Sequence, residues 1–252
     1  MQEKSENQKM EKYGRQISHP GFDVEKQARL KNSTVLVAGI GGLGGAAVWG
    51  LASAGIGKLI LVHAGNLDAQ DLNRQTLMTH EWVGRPRVEK AKETIQNFNP
   101  DIDVEIFDFW INEQNFFGLF HQHRVDFVID ARHNFEERRF INEICIKKNV
   151  PFSEAAMNGM EGYLFSVNPR KTACLHCQYP EDPPLWNPFT FPVFGAVSST
   201  IGSMAALQAI KFLSGYHEDI FGVMTSIDFT DMGSRQYRLK QDKKCPVCGG
   251  LK

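Results

Sequence analysis

The chain has 252 residues, a formal net charge of −1 at pH 7 and 42% hydrophobic residues. This length suffices for one large α/β domain or two small ones, and the near-zero charge argues against a basic nucleic-acid-binding surface. No apolar run is expected to approach the roughly 18 residues of a membrane span, and Met1 to Lys12 lacks the apolar core of a secretory signal. We therefore expect a cytoplasmic protein without a membrane partner, whose five cysteines are metal ligands or thiols rather than disulfides.

The first thirty residues are expected to lie outside the main sheet. Met1 to Met10 is rich in Glu, Lys, Gln and Asn, which predicts a frayed tail. Glu11 to Arg29 predicts one or two short helices around the His19-Pro20-Gly21 turn. Residues 1–30 are thus predicted to form a tail and short helices.

A buried strand and a glycine-rich turn come next. Four apolar residues, Val35 to Ala38, predict the strand, and the small residues after the turn predict a helix that packs closely against it. The glycines of the turn match the dinucleotide-binding fingerprint in its proper setting, between a strand and a helix. They permit a sharp turn and bring backbone N–H groups toward an anion. A nucleotide phosphate is therefore predicted at Gly39, Gly41 and Gly42.

The end of the second strand, Lys58 to Val62, indicates what kind of nucleotide this is. A dehydrogenase would usually place Asp or Glu there to hold the ribose hydroxyl, but this chain has His63. The polar segment Asp71-Leu72-Asn73-Arg74-Gln75 follows. Because a guanidinium group matches phosphate oxygens two at a time, this segment suits a triphosphate better than a nicotinamide.

The rest of the first half alternates helices and strands. The predicted elements are a helix ended by Asn99-Pro100, a strand from Asp103 to Trp110, a helix from Glu113 to His121, a strand from Val125 to Asp130 and a helix from Phe135 to Lys148. This order implies a Rossmann-like, doubly wound and mostly parallel sheet over residues 31–150. Ligands bind at the carboxyl ends of such strands. Those ends carry Gly41, His63, Asp71, Arg74 and His133.

From Pro151 onward, antiparallel strands are expected to extend the sheet, so that residues 151–252 complete one compact domain. The predicted elements are strands over Phe152 to Val167, Val223 to Asp228 and Arg235 to Leu239, and a helix from Thr200 to Leu213 that Gly215 ends. The proline-rich segment Pro180 to Pro192 predicts an irregular loop that can lie over the site.

Two cysteine pairs predict a metal site. Cys174 and Cys177 form one CxxC knuckle and Cys245 and Cys248 form another, and two knuckles complete a tetrahedral four-thiolate zinc site. Four thiolates leave no open position, so such a zinc ion would be structural and would tie the C-terminal tail to the domain. Free or redox-active thiols are the alternative.

The chain resembles the HesA/MoeB/ThiF family, the adenylating enzymes that share a fold with the ubiquitin-activating enzymes. The resemblance rests on Tyr13-Gly14-Arg15-Gln16, the glycine turn, Arg74-Gln75 and the two cysteine pairs. Two further segments look closer to the HesA branch than to MoeB or ThiF, namely His63-Ala64-Gly65 and Phe191-Pro192-Val193-Phe194-Gly195. The resemblance implies an ATP-dependent adenylyltransferase that joins AMP to a carboxylate.

The resemblance also implies a homodimer in which Arg15 enters the ATP site of the other subunit. Arg74 and that Arg15 would neutralise the β- and γ-phosphates, and Asp130 is the third candidate catalytic residue. The residues expected to contact ATP and its Mg²⁺ are Gly39, Gly41, Gly42, His63, Asp71, Asn73, Arg74, Gln75, Arg87, His133 and Asn134.

Several of these residues depart from the family pattern. His63 stands where relatives hold the ribose with an aspartate, Asp71 where they usually have an asparagine, and Arg87 where they have a lysine. His133 stands in place of a Mg²⁺-associated aspartate. Asp130 or Asp71 could substitute for that aspartate, and a different metal held partly by His133 is the alternative.

The resemblance implies two kinds of substrate: the C-terminal glycine tail of a ubiquitin-like sulfur carrier protein, or a small acid, in sulfur or metal-cofactor biosynthesis. The segment Pro180 to Pro192 has no cysteine, where relatives that pass the carboxylate to a thiol place one. The reaction is therefore expected to stop at the acyl adenylate or to use an outside nucleophile. Two other hypotheses stay open: a nucleotide-binding scaffold that lost the reaction, and an NAD(P)-dependent oxidoreductase, which the glycine motif alone permits.

Overall fold

One mixed sheet forms the centre of the molecule in the computed structural model, which describes residues 10–182, 187, 190–217 and 220–250. Its strands are β1 (Thr34–Ala38), β2 (Lys58–Val62), β3 (Asp103–Phe107), β4 (Phe127–Asp130), β5 (Phe152–Asn158), β6 (Glu161–Val167), β7 (Val223–Asp228) and β8 (Gly233–Arg238). Their order across the sheet is β3-β2-β1-β4-β5-β6-β7-β8. The strands from β3 to β5 are parallel, and β6, β7 and β8 are each antiparallel to their neighbours.

Helices connect the parallel strands and cover both faces of the sheet. They are α1 (Gly14–Ile17), α2 (Val24–Lys31), α3 (Gly42–Ala54), α4 (Arg87–Phe98), α5 (Glu113–Gln122), α6 (Phe135–Lys148), α7 (Leu175–Gln178) and α8 (Gly195–Ser214). Two short 3-10 turns, Ala69–Asn73 and His80–Trp82, lie between β2 and α4.

The core has two layers, one on each face of the sheet. Successive side chains of a strand point to opposite faces, so Val35 and Val37 of β1 pack into one layer while Leu36 and Ala38 pack into the other. The first layer also contains Leu51 of α3 and Ile201 of α8, and the second contains Ile141 of α6. Because both faces are covered, β1 is buried at every position, which explains its uninterrupted apolar sequence.

The doubly wound, mostly parallel sheet agrees with the prediction, but three local details correct it. The segment predicted as one antiparallel element over 152–167 is two strands, and the first of them pairs in parallel with β4 through Ile129 and Ser153. β3 ends at Phe107 rather than Trp110, because its neighbour β2 ends at Val62, the residue that pairs with Phe107. α8 begins at Gly195, earlier than predicted.

Helix α8 also corrects the expectation that no apolar segment approaches membrane-spanning length. It has 20 residues, and its most apolar 18-residue window has a mean hydropathy of 1.2, with 39% of that window buried. It packs tightly along α3: a Cβ on Gly202 would lie 2.0 Å from the carbonyl oxygen of Leu43, and a Cβ on Gly50 would lie 2.8 Å from Ala206. These contacts are those of a core helix, a type of helix that satisfies the same length and composition criterion.

The segment before β1 is fixed to the body of the protein on both sides of Arg15. The Tyr13 hydroxyl accepts a hydrogen bond from Asn99 Nδ2 at 3.0 Å, and the Tyr13 ring fills the space over Gly55. Gln16 Nε2 donates to Gln27 Oε1 at 2.6 Å. Arg15 itself is exposed. The predicted tail lies outside the described residues except for Met10, as do residues 183–186 and 188–189 of the predicted loop.

Candidate functional site

A cavity of about 420 Å³ opens at the carboxyl ends of β1, β2 and β4, where the sequence predicts the site. Its volume is in the range of small-molecule binding sites. The predicted residues that line it are Gly41, Gly42, His63, Asp71, Arg74, Gln75, Arg87 and His133.

The glycine turn forms one end of this cavity. Gly39 has a φ of +92° and lies against the Ala131 carbonyl, and a Cβ on Gly44 would lie 1.7 Å from the Gly39 oxygen, so both positions require glycine for the fold. Gly41 caps α3, and a Cβ there would meet nothing nearer than Gln75 Nε2 at 4.0 Å. No described side chain caps α3, so the N–H groups of its first turn remain available to an anion.

His63, at the end of β2, is a neutral hydrogen-bond donor to the cavity. Its Nδ1 accepts a hydrogen bond from the Ile40 N–H at 3.2 Å and lies 3.2 Å from Arg132 Nη1. Burial, and then the charges of Arg132 and Arg87, hold the pKa of the ring well below its usual 6.5. Because Nδ1 accepts, the proton of the neutral ring is on Nε2.

Asp71 links the two predicted phosphate-binding arginines. Its Oδ1 accepts from Arg74 Nη2 at 2.9 Å, and its Oδ2 accepts from Arg87 Nη2 at 2.6 Å and from the Asp68 N–H at 3.0 Å. Asp71 is 4% exposed. Arg74 also donates from Nη1 to the Gln70 carbonyl, whereas Nε of Arg87 is buried without a partner among the described residues. Asp71 therefore fixes both guanidinium groups at the cavity wall.

The turn after β4 supplies a third arginine. Arg132 Nε and Nη2 bind Glu137 Oε2 at 2.7 and 2.6 Å, and the Arg132 guanidinium lies 5.5 Å from the centre of the Trp110 ring. The neighbouring His133 lines the cavity, and burial, followed by the charge of Arg132, lowers its pKa to about 4. Asn134 instead caps α6, accepting from the Glu137 N–H at 2.8 Å.

A buried charged group lies beneath the cavity. Asp130 and Glu154 are neighbours across β4 and β5, and Arg138 binds Glu154 Oε2 and the Ala155 carbonyl. Burial raises the pKa of both carboxyl groups, and that of Glu154 lies well above its usual value. Among the described residues, no other donor reaches Asp130 Oδ2 or Glu154 Oε1, so one proton shared between the two carboxyls satisfies both.

Five predicted site residues are not on the cavity wall. Gly39 lies under the turn, and Asp130 is fully buried below the floor. Asn73 donates to the Val193 carbonyl at 3.2 Å, and Asn134 is a helix cap. Arg15 is on α1, exposed, and does not reach the cavity of its own chain.

Some residues of the wall were missed by the sequence prediction. They include Trp110, Arg132 and Ser198. Arg132 had a detectable signal, because it lies two residues after the carboxyl end of the predicted strand Val125 to Asp130. The predicted strand Asp103 to Trp110 includes Trp110, and Ser198 lies in the first part of α8, before the predicted start of that helix at Thr200. Arg138 also lines the cavity, and its exposure of 4% excludes a surface salt bridge for this residue.

A second, mostly apolar groove of about 210 Å³ joins the cavity. The two share Arg138, Ala156 and Met157, and aromatic side chains of Phe135 and Tyr163 line the groove. A molecule that lies in the groove with one end at Arg138 would therefore reach the main cavity.

The four predicted metal-ligating cysteines come together in the second core layer, the one that contains Ile141. All four Sγ atoms lie within 4.8 Å of one another, with Cys174 and Cys245 separated by 3.8 Å and Cys177 and Cys248 by 3.4 Å. Zinc–sulfur bonds of about 2.3 Å in a tetrahedron put the sulfurs roughly 3.8 Å apart, so the cluster fits zinc. Burial raises the pKa of Cys248 to about 11, which a bound cation would reverse.

Comparison with known proteins adds to this geometry. The ThiF family profile matches residues 13–247. The chain is 46% identical over 240 residues to the protein "HesA, heterocyst" of Trichormus variabilis, covering 95% of this chain and 89% of that protein. It is 34% identical over 250 residues to the molybdopterin-synthase adenylyltransferase of Escherichia coli, covering 96% of this chain and 98% of that protein.

The fold is shared with a solved structure. Escherichia coli MccB with ATP matches with a TM-score of 0.82 and 24% identity, over 94% of this chain and 74% of MccB. This similarity concerns the fold alone.

Proposed function

The chain belongs to the ThiF family, and from that premise we propose that it is an ATP-dependent adenylyltransferase that activates a carboxylate. In this reaction a carboxylate oxygen attacks the α-phosphorus of ATP, the bond from that phosphorus to the pyrophosphate oxygen breaks, and pyrophosphate leaves. The observation that carries the proposal is a single cavity wall on which the uncapped start of α3 meets Arg74 and Arg87.

Catalysis of this step depends on position and charge rather than on a covalent intermediate. The first N–H groups of α3 would cradle the phosphates, and Arg74 and Arg87 would neutralise their charge. His63 would donate from Nε2 to a ribose oxygen, in contrast to an aspartate, which accepts there.

Arg138 is suited to hold the carboxylate that is activated. It is shared by the cavity and the apolar groove, and its contacts to Glu154, the Arg132 carbonyl and the Ala155 carbonyl fix its orientation. A substrate carboxylate placed at Arg138 would lie at the junction, with the rest of the substrate in the groove. Arginine is a frequent partner of carboxylates because its donors match both oxygens.

The substrates we propose are the glycine tail of a ubiquitin-like sulfur carrier protein or a small acid, in sulfur or metal-cofactor biosynthesis in the cytoplasm. The relative named molybdopterin-synthase adenylyltransferase supports this class. We also propose a homodimer in which Arg15 of one subunit completes the ATP site of the other.

The two implied metals differ in how well they fit. The four cysteine sulfurs suit structural zinc in both ligand type and spacing, and zinc there would hold the C-terminal tail without taking part in the reaction. Mg²⁺ fits the cavity poorly, because the Asp71 carboxylate is already bound by two arginines. No step of the proposed reaction is therefore assigned to a protein-bound Mg²⁺.

ATP–pyrophosphate exchange in the presence of candidate carboxylates tests the proposal. The wild-type protein is expected to exchange only with its acid, and Gly41→Ala should bind ATP at least about tenfold more weakly, because the methyl group occupies the phosphate cradle. Gly118→Ala is the matched control, since a Cβ at Gly118 meets nothing within 4 Å on a helix away from the site. If Gly41→Ala bound ATP as tightly as the control, the phosphates would not lie at the glycine turn.

One alternative to the enzyme is a nucleotide-binding scaffold that lost the reaction. The poor fit of Mg²⁺ to the cavity is the observation that supports this alternative. Calorimetry with ATP separates the two: tight binding with no exchange across carrier proteins and small acids would favour the scaffold, and carboxylate-dependent exchange would exclude it. The NAD(P)-dependent hypothesis is not carried forward, because the relatives named above include an adenylyltransferase.

A further inference from the structure

The described wall of the cavity is rich in groups that bind anions. Arg74, Arg87, Arg132 and Arg138 all reach it, next to the uncapped N-terminus of α3. The buried, unpartnered Nε of Arg87 adds a donor that no protein acceptor uses among the described residues. Each arginine has five N–H donors, so Arg87 can keep Asp71 on Nη2 while it offers Nε to a ligand.

The same wall offers little to a divalent cation. Mg²⁺ requires oxygen ligands at about 2.0–2.1 Å in near-octahedral geometry. Of the two carboxylates on the described wall, Asp71 binds a guanidinium group through each oxygen. Asp68 is exposed at the start of the Ala69–Asn73 turn. The other side-chain oxygens on the described wall are neutral, those of Asn66, Gln70, Gln75 and Ser198.

Arg132 lies close to two histidines of the cavity wall, His63 and its sequence neighbour His133. His63 and His133 both line the cavity, and the nearby charge of Arg132 adds to burial in lowering the pKa of each ring. The surroundings therefore oppose the arrival of one positive charge at either ring. The charge of Arg132 would repel a divalent cation at the same wall more strongly than it repels the single charge of a protonated histidine.

We propose that this cavity neutralises the nucleotide phosphates with arginine side chains and backbone N–H groups alone, and that none of its own side chains ligates Mg²⁺. The inference rests on the proposed function for the identity of the anion. Arg74 and Arg87 would bind the phosphates while Asp71 keeps them in place, and Arg132, held by Glu137, would supply the remaining charge.

Calorimetry with the ATP analogue AMPCPP, once in excess Mg²⁺ and once in EDTA, tests this. The wild-type dissociation constants are expected to agree within about threefold. His133→Asp places an oxygen ligand on the wall, so its affinity should become at least about tenfold higher in Mg²⁺ than in EDTA. His133→Asn is the matched control, because it adds no carboxylate, so its affinities in Mg²⁺ and in EDTA should stay within about threefold of each other.

Other results would overturn the proposal. A wild-type affinity at least about tenfold higher in Mg²⁺ than in EDTA, reduced to the EDTA value by Asp68→Asn or Asp71→Asn, would identify a protein ligand and leave the adenylyltransferase proposal intact. Absence of AMPCPP binding in both buffers would overturn both proposals. The wild-type comparison decides the question even if His133→Asp fails to fold.

Discussion

Among single residues, the buried charges under the cavity are the most sensitive to substitution. Arg138 and Glu154 are almost fully buried, and Asp130 lies beside Glu154 in the register of β4 and β5. Removing one partner of such a group leaves an uncompensated charge that costs about 3–5 kcal/mol. The group also holds Arg138 in the position proposed for substrate binding.

Glu154→Gln is expected to be neutral or stabilising, because glutamine reproduces the protonated form that the buried site favours. The raised pKa of Glu154 means that the native state binds more protons than the unfolded state above the ordinary carboxyl pKa of 4.5. Stability of the wild type therefore falls as pH rises from that value toward the native pKa, by at most about 1.4 kcal/mol per pH unit. Urea unfolding at pH 5, 6.5 and 8 should show the advantage of the variant growing with pH.

The control for this prediction is Glu154→Ala, which removes the hydrogen-bond acceptor of Arg138 Nη1 and leaves a cavity in the core, so it should destabilise by about 3 kcal/mol or more. If Glu154→Gln were as destabilising as the alanine variant at every pH, Glu154 would be ionised in the native protein, and the shared proton would be excluded.

The sequence could indicate only part of this chemistry. His63 and Arg74 were predicted because the dinucleotide-binding pattern fixes where strand ends and their polar residues lie. The pairing of Asp130 with Glu154 was not, because it depends on the register between two parallel strands connected by a whole helix. The buried position of Arg138 follows from that same register, so the sequence alone left it undecided.

Among the secondary-structure elements, those with clear end signals were predicted best. The bounds of α6 agree with the prediction because Asn134 caps its start and Asn149, with a φ of 57°, ends it in the left-handed conformation. The bounds of β3 and α8 were less accurate. β3 ends where its neighbour β2 ends, and the start of α8 packs against the Asn73 carbonyl through Gly195. Neither contact is local in sequence, so a local pattern could not indicate these bounds.

A zinc ion bound by the four cysteines is expected to hold the C-terminal segment against the rest of the protein. Metal analysis should find one zinc ion per chain, and Cys248→Ser should lose it and raise hydrogen exchange in residues 239–250, while β1 and β4 stay protected. Cys145→Ala is the matched control, because Cys145 is buried in α6, outside the cluster, and should keep the zinc. A cluster that held no metal in protein purified without chelator would identify these residues as free thiols.

At the scale of the whole molecule, the proposed function is complete only in a dimer. Arg15 is exposed and does not reach the cavity of its own chain, while Tyr13 and Gln16 on either side of it are fixed to the body. Arg15 is thus exposed on a segment that its neighbours anchor to the body of the protein. A residue that enters the ATP site of a second subunit would need this arrangement.

Mixed dimers test whether Arg15 acts across the interface. Arg15→Ala and Gly41→Ala should each abolish exchange alone, but a mixed dimer would contain one site with an intact glycine turn and an intact Arg15 from its neighbour. Statistical mixing should restore roughly a quarter of the wild-type activity. An Arg15 that served its own chain would give no recovery, and a fully active monomer would exclude the role altogether.

Helix α4 connects the cavity to the N-terminal segment that carries Arg15. Its first residue, Arg87, lies on the cavity wall, and the residue after its last turn, Asn99, holds the Tyr13 hydroxyl and accepts from Lys12 Nζ at 2.6 Å. The helix, about 18 Å long, therefore joins the cavity wall to the segment that carries Arg15. In the proposed dimer, the segment that offers Arg15 to the neighbouring subunit would therefore be anchored to the same helix that carries a phosphate-binding arginine of its own chain.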